Sequence, residues 1–214
     1  MTPKILAIDS TTEFGSIALV SGGAVAWETL IHSTVGFGHI LFGHIEAALE
    51  SAGWKIGQVE CFAAAAGPGS FTGVRVGLAA VKGLAEALGR RAVGVSNLEA
   101  IAWHGTAPLR AAVVDARRGQ IYGALYDAHL NVVSPEVVSA FPEWLATLPS
   151  GEIELLSTDS AAFRPALVHE VPRALAGAIG RIAEARFLAG TAADPAALDA
   201  NYVRRSDAEL FWRE

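Results

Sequence analysis

A chain of 214 residues has room for one domain or for two lobes of roughly 100 residues each, and its formal charge of −6 argues against a protein that grips nucleic acid unaided. Hydrophobic residues make up 52% and charged residues only 18%, so a substantial core is easily filled. Mean hydropathy is high at +0.37, yet no run approaches the ~18 uninterrupted apolar residues that a bilayer span needs.

Much of the apolar surplus is alanine, which suits either a plain Ala-rich core or a surface reserved for a partner. Met1-Thr2-Pro3-Lys4 runs directly into strand-like Ile5-Leu6-Ala7-Ile8, which does not read as a signal peptide. The single cysteine, Cys61, sits in an apolar strand; core packing in a reducing cytoplasm is expected.

In chain order, Lys4–Asp9 reads as an apolar strand ending on an acid, Gly15–Val20 as a second strand, Gly22-Gly23 as a hairpin turn and Ala24–Ile31 as a third strand. A helix is predicted from about Gly38 to Ala52, stopped by Gly53, with Ile40, Leu41, Ile45, Ala48, Leu49 and Ala52 at helical spacing. A buried strand, Val59 to Ala66, then leads through Gly67-Pro68-Gly69 into a second helix, Thr72 to Leu88, closed by Gly89. Strand Ala92–Val95 runs into Ser96-Asn97-Leu98-Glu99, a capping-box spacing for a short helix.

This β-β-β-α-β-α order describes a mixed sheet with helices packed on it. After Pro108 the pattern restarts, with strands at Ala111–Asp115, Gln120–Tyr126 and Asn131–Val138 and helices near Pro142–Leu148 and Val171–Ala189. Asp194-Pro195 starts a turn of helix, Asn201–Arg204 is a strand or loop, and Ser206-x-x-Glu209 caps a final segment. The expected organisation is a duplicated α/β protein: one lobe over residues 1–105, and a smaller lobe over residues 106–214 whose terminal segment packs back on the first.

Two places carry chemistry. At the glycine loop, Gly67, Gly69, Ser70 and Thr72 surround the start of a helix, where free amides and the positive end of the helix dipole suit an anion. An ordinary turn with a capping hydroxyl needs the same residues. Thr72 is followed by Gly73-Val74, so the nucleotide P-loop does not fit; the dinucleotide fingerprint lacks its third glycine. At the end of the first strand, Asp9, Ser10, Thr11 and Thr12 could hold hydrated magnesium and phosphate, or form a turn that satisfies its own hydrogen bonds.

Other chemistries find little support. His39 and His44 are five residues apart, the wrong spacing for side-by-side imidazoles, and His32, His104, His129 and His169 complete no ligand set, so no metal site is expected. Ser70 lacks a nucleophile elbow and a local base, and Glu46 with Glu50 reads as a solvated helix face, so no catalytic residue emerges and proteolysis is not expected. The arginine pairs Arg90-Arg91, Arg117-Arg118 and Arg204-Arg205 form either a basic patch or solvated ends and ion pairs.

The helix after the glycine loop is apolar on two sides. Val74, Leu78, Val81, Ala85 and Leu88 form one stripe; Val76, Ala79, Ala80, Gly83 and Ala87 form a second with small side chains. The second stripe faces either another protein or the chain's own first helix.

Five ordered stretches, Ile5 to Thr12, Ala66 to Arg75, Gly94 to Ala100, Asp115 to Tyr122 and Tyr202 to Glu209, together resemble the bacterial TsaB (YeaZ) family over essentially the whole chain. The resemblance implies an actin-like, ribonuclease-H-like (ASKHA) two-lobed fold. It also implies a role in making N6-threonylcarbamoyladenosine in tRNA, beside the anticodon. In that family the subunit is not the catalyst: it pairs with its larger paralogue TsaD, which holds the metal and transfers the threonylcarbamoyl group, and the ATPase TsaE joins them.

The resemblance places the TsaD contact on the first two helices, here Ile40, Leu41, Ile45, Val76, Ala79, Ala80, Gly83 and Ala87. Contact with tRNA is expected through the complex, with no membrane, and a homodimer is conceivable for the isolated chain. The conceivable cofactor is ATP or ADP with magnesium, at a cleft or at the subunit seam. The chain departs from the pattern at Phe37 and Gly43, where many relatives carry histidine and proline. The rival reading is a stand-alone actin-like ATPase or kinase using the Asp9–Thr12 turn.

Overall fold

The computed structural model describes residues 2–204. It divides into two compact units, Met1–Ala100 with Pro172–Ala200, and Ile101–Val171 with Asn201–Glu214.

The first unit is built on β1 (Lys4–Asp9), β2 (Phe14–Ser21), β3 (Ala24–His32), α1 (Leu41–Ser51), β4 (Cys61–Gly67), α2 (Phe71–Leu88) and β5 (Arg91–Ser96), with α3 (Asn97–Ala102) following. Its sheet has the order β3-β2-β1-β4-β5. The first three strands form an antiparallel meander, in which Ala7 stands opposite Ala18. β4 and β5 extend it in parallel, with Ala7 opposite Ala63 and Ala63 opposite Val93. Parallel neighbours need a crossover, and α1 and α2 supply it.

Alternation along the strands sorts side chains to two faces. Leu6, Ile8, Ile17 and Leu19 share a core with Leu41 and Ile45 of α1 and with Val74, Leu78 and Val81 of α2. Ala7 and Val20 point the other way: a Cβ added at Gly180 would come within 2.5 Å of Val20 and 3.4 Å of Ala7. That face is covered by α5 (Ala176–Leu188), which packs on β1, β2, β4 and β5.

The expected division gave residues 106–214 to the second lobe, with only the terminal segment packing back on the first; the structure instead puts Pro172–Ala200, and with it α5, in the first unit. The reason is local chemistry at the start of α5. Ser16 Oγ accepts from the amides of Leu175 (3.1 Å) and Ala176 (2.9 Å), and Glu28 Oε1 accepts from Gly177 N at 2.6 Å. Acceptors on β2 and β3 therefore satisfy the amides that a helix start leaves open. Gly177 and Gly180 let the helix approach the sheet closely.

The second unit repeats the meander with β6 (Leu109–Asp115), β7 (Gln120–Asp127) and β8 (Val132–Ala140), followed by α4 (Phe141–Thr147), β9 (Ile153–Ser157) and the two-residue β10 (His169–Glu170). The sheet order β8-β7-β6-β9-β10 repeats the first: two antiparallel ladders, then β9 parallel to β6 and β10 parallel to β9. β9 and β10 are absent from the sequence reading because five and two residues are too short for alternation to register. Trp144 of α4 lies over Gly123, where a Cβ would meet its ring at 2.5 Å, in a core with Val113, Leu125 and Phe163.

α1 begins three residues later than expected, after a turn in which Ile40 N and Leu41 N both donate to Phe37 O. α2 ends as expected at Gly89, whose φ of +60° suits glycine, with Arg90 N returning to Ala85 O. The expected segment capped by Ser206 and Glu209, and Arg205 of the third arginine pair, lie outside the described residues.

Candidate functional site

The turn after β1 and the loop before α2 meet, as their shared candidacy for one ligand requires, but they meet by bonding to each other. Asp9 Oδ1 accepts from Thr11 N (2.9 Å) and Thr11 Oγ1 (2.7 Å). Thr11 Oγ1 in turn accepts from Asn97 Nδ2 at 2.8 Å, and Asn97 Oδ1 accepts from Gly67 N at 3.2 Å. Ser10 Oγ donates to Gly73 O at 2.8 Å, and Ser70 N donates to Thr11 O at 2.7 Å.

Ser70 caps α2, accepting from Gly73 N at 3.4 Å. Thr12 is exposed and exchanges hydrogen bonds with the Phe14 backbone, and Thr72 is exposed in the first turn of α2. The glycines serve the same closeness. A Cβ at Gly69 would lie 2.7 Å from Thr11 Cβ and O, and one at Gly77 would lie 2.7 Å from Ser10 Oγ.

Asp9, Ser10 and Thr11 are buried. Burial pushes the Asp9 carboxyl above its ordinary range, against hydrogen bonds from Thr11 and Asn97 that pull it down. The Asp9, Ser10 and Thr11 side chains expected to meet magnesium and phosphate are thus spent within the cluster, which works as a latch seating the glycine loop on the turn, while Thr12 and Thr72 stand outside it. In this geometry Asp9, Ser10 and Thr11 do not fit a magnesium nucleotide. Among the described residues no group of three or more His, Cys, Asp or Glu is placed to hold a metal ion, and no helix is long and apolar enough to cross a membrane.

The expected interface residues divide three ways. Leu41, Ile45 and Ala80 are buried in the chain's own core, so they cannot be a contact surface; they lie on the inward sides of α1 and α2. Ile40 and Val76 are partly buried and pack against that core. Ala79, Gly83 and Ala87 are exposed on one side of α2, and a Cβ at Gly83 would meet nothing within 4 Å.

The sequence reading missed two exposed aromatics, Phe42 (53%) and Phe71 (45%), the latter with the Arg75 guanidinium 3.5 Å over its ring. The signal for Phe42 was its place beside Leu41, off the Leu41–Ile45–Leu49 stripe. Of the two positions where the family pattern breaks, Phe37 is buried with its ring against Gly15, and Gly43 is exposed on α1.

A family model described as TsaD, tRNA N6-adenosine threonylcarbamoyltransferase, matches residues 37–193. The tRNA threonylcarbamoyladenosine biosynthesis protein TsaB of Escherichia coli is 34% identical over 149 residues, covering 63% of this chain and 64% of that one, so the match spans just under two thirds of that relative. The Bacillus subtilis protein of the same name is 30% identical over 226 residues, covering 98% of each. Among solved structures, YeaZ from Pseudomonas aeruginosa superposes with a TM-score of 0.83 at 24% identity, covering 94% of this chain and 99% of that one.

Two five-stranded mixed sheets of the same strand order, each a meander extended by parallel strands, make this an α/β protein with the fold of the Pseudomonas aeruginosa YeaZ structure. Within the wider set of sequences that the TsaD model describes, the chain belongs to the TsaB (YeaZ) family.

Proposed function

We propose that this chain is a non-catalytic subunit of tRNA N6-threonylcarbamoyladenosine synthesis, acting in the cytoplasm by pairing with a metal-bearing TsaD-type transferase that the ATPase TsaE joins. The observation that carries this reading is the similarity over 98% of both chains to a protein named for that biosynthesis. The exposed side of α2 supports the pairing: Ala79, Gly83 and Ala87 allow close backbone approach, while Phe42 and Phe71 add apolar area. Apolar area at the centre of a patch supplies most of the association energy in such dimers.

The rival reading, an ATPase or kinase working through Asp9–Thr12, is disfavoured because Asp9, Ser10 and Thr11 are committed to one another and to the glycine loop. Absence of heat on titrating magnesium-ATP into the isolated chain would remove it. For the main reading, the test is co-purification with the TsaD-type subunit of the same genome. Gly83→Arg should abolish retention while the chain stays folded. Undiminished retention of the variant, or full-rate tRNA modification by the transferase without this chain, would overturn the proposal.

A further inference from the structure

We propose that the outer edge of β3 is an interface at which two copies of this chain join their first sheets antiparallel, across a two-fold axis at Leu30. The proposal does not depend on the pairing described above, which uses α2.

Each sheet has two edges, and three of the four are blunted. β5 is bridged by Ala193: Ala92 N donates to Ala193 O at 3.1 Å, and Ala193 N to Ala92 O at 2.9 Å. β10 has only two residues. β8 carries Pro135 and two irregularities in its register with β7. Short strands, proline, bulges and covering segments are the usual means of keeping sheet edges from pairing. β3 runs nine residues without proline or lysine, and its one irregularity lies near the β2–β3 turn.

The open groups on that edge can be identified. Ser33 N donates to Glu13 O at 2.9 Å, which sets the phase of the ladder between β2 and β3. In an antiparallel pair, Ile31 and Thr29 then bond inward to β2, so the N–H and C=O groups of Glu28, Leu30 and His32 point outward. Among the described residues no other backbone group meets them. Such a row of donors and acceptors is a template for another strand.

The occupant follows from the side chains beside those groups. Ala26, Glu28, Leu30 and His32 are exposed, Leu30 at 47%. With the axis at Leu30, the leucine meets its own copy, and Glu28 stands opposite His32 of the second copy, twice per dimer. Directly opposed side chains have Cβ atoms about 5 Å apart, close enough for apolar contact and for an imidazole N–H to reach a carboxylate. Glu28 Oε1 accepts from Gly177 N at 2.6 Å, and its Oε2 takes no hydrogen bond among the described residues. The His32 ring is stacked on Phe14 with centroids 4.6 Å apart, and its Nε2 lies 3.9 Å from Glu13 Oε2, too far for a hydrogen bond. An axis at Glu28 would oppose two carboxylates, and one at Thr29 would set Glu28 against Leu30. Only the Leu30-centred register of these three matches charge with a partner, as a self-complementary two-fold interface requires.

The test is sedimentation velocity on the full chain over rising concentration. A strand-edge contact is smaller than a standard interface, so a weak, reversible dimer is expected. Leu30→Lys opposes two cations at the axis and should weaken dimerisation about tenfold. His32→Glu opposes two carboxylate pairs and should do the same, whereas His32→Lys should dimerise as the parent does. Leu30→Cys should form a disulfide-linked dimer on air oxidation, since opposed strand residues lie within disulfide reach. Ala26→Cys, which the same register sets roughly 27 Å from its own copy, should not. Gly83→Arg, on α2, should leave the self-association unchanged. A parent that stays monomeric at every concentration would overturn the proposal. So would equal cross-linking of the two cysteine variants, full dimerisation of Leu30→Lys or His32→Glu, or a dimer lost in Gly83→Arg, which would place the contact on α2.

Discussion

Arg186 on α5 holds Glu99 on α3 through a single nitrogen: Nη2 donates to Oε1 at 2.7 Å and to Oε2 at 2.8 Å, while Nη1 donates to Gly94 O at 2.9 Å. The pair spans 87 residues and pins the last long helix to the first sheet. The Glu99 side chain is 11% exposed and that of Arg186 is 37% exposed. Arg186→Leu should therefore cost about 2 kcal/mol, below the range for fully buried pairs because Arg186 still touches water. Urea denaturation reads this directly; a loss within error of zero would mean that packing alone holds α5.

Glu184, also on α5, accepts from Gly22 N and Gly23 N, one through each oxygen and each at 2.6 Å. Glu184→Gln keeps the shape but turns its amide NH2, itself a donor, toward one of those donors. The expected cost is about 2 kcal/mol, the price of leaving one amide unmatched beside a buried side chain. Hydrogen exchange should quicken at the β2–β3 turn first. Protection there equal to that of the parent would contradict the role assigned to Glu184.

The buried Asp9 carboxyl makes stability depend on pH. Its native pKa lies above the unfolded value, mainly through desolvation. The folded chain therefore holds this proton where the unfolded chain has lost it, so the contribution is complete at low pH and falls as pH rises through the native pKa. Asp9→Asn retains an oxygen for Thr11 and removes the titration. Unfolding free energy measured from about pH 4 upward should fall more steeply for the parent than for the variant. Parallel profiles would contradict the assignment.

Two glycines of α2 should respond oppositely to enlargement. A Cβ at Gly73 would be driven into the Ser10 carbonyl, whereas Gly83 opens onto nothing within 4 Å. Gly73→Ala should cost about 3 kcal/mol, at the upper end for overpacking, because backbone must move to admit it. Gly83→Ala should leave the melting temperature of the isolated chain unchanged or slightly higher, since alanine favours the helix by about 1 kcal/mol. Equal losses at both positions would show that the outer side of α2 is covered after all.

Local patterning in the chain was enough for the first six elements, from Lys4 to Leu88, and for the second meander, because each carries its own period and a glycine or turn at its boundary. The placing of α5 was not legible there. Its Ala- and Gly-rich run says that the helix is buried but not against what, and acceptors on Ser16 and Glu28, far earlier in the chain, settle the matter. The same limit applies to the candidate site. Asp9, Ser10, Thr11, Gly69 and Ser70 were visible as polar groups at two corners, but whether a ligand or another corner satisfies them depends on contacts across some sixty residues, such as Ser10 Oγ with Gly73 O. Helical spacing likewise grouped Ala80 with Ala79, Gly83 and Ala87, although packing hides the first and leaves the others open. A short stretch encodes its own hydrophobic period and turn chemistry; which surface finally covers it is a property of the folded chain, where distant segments compete for the same face.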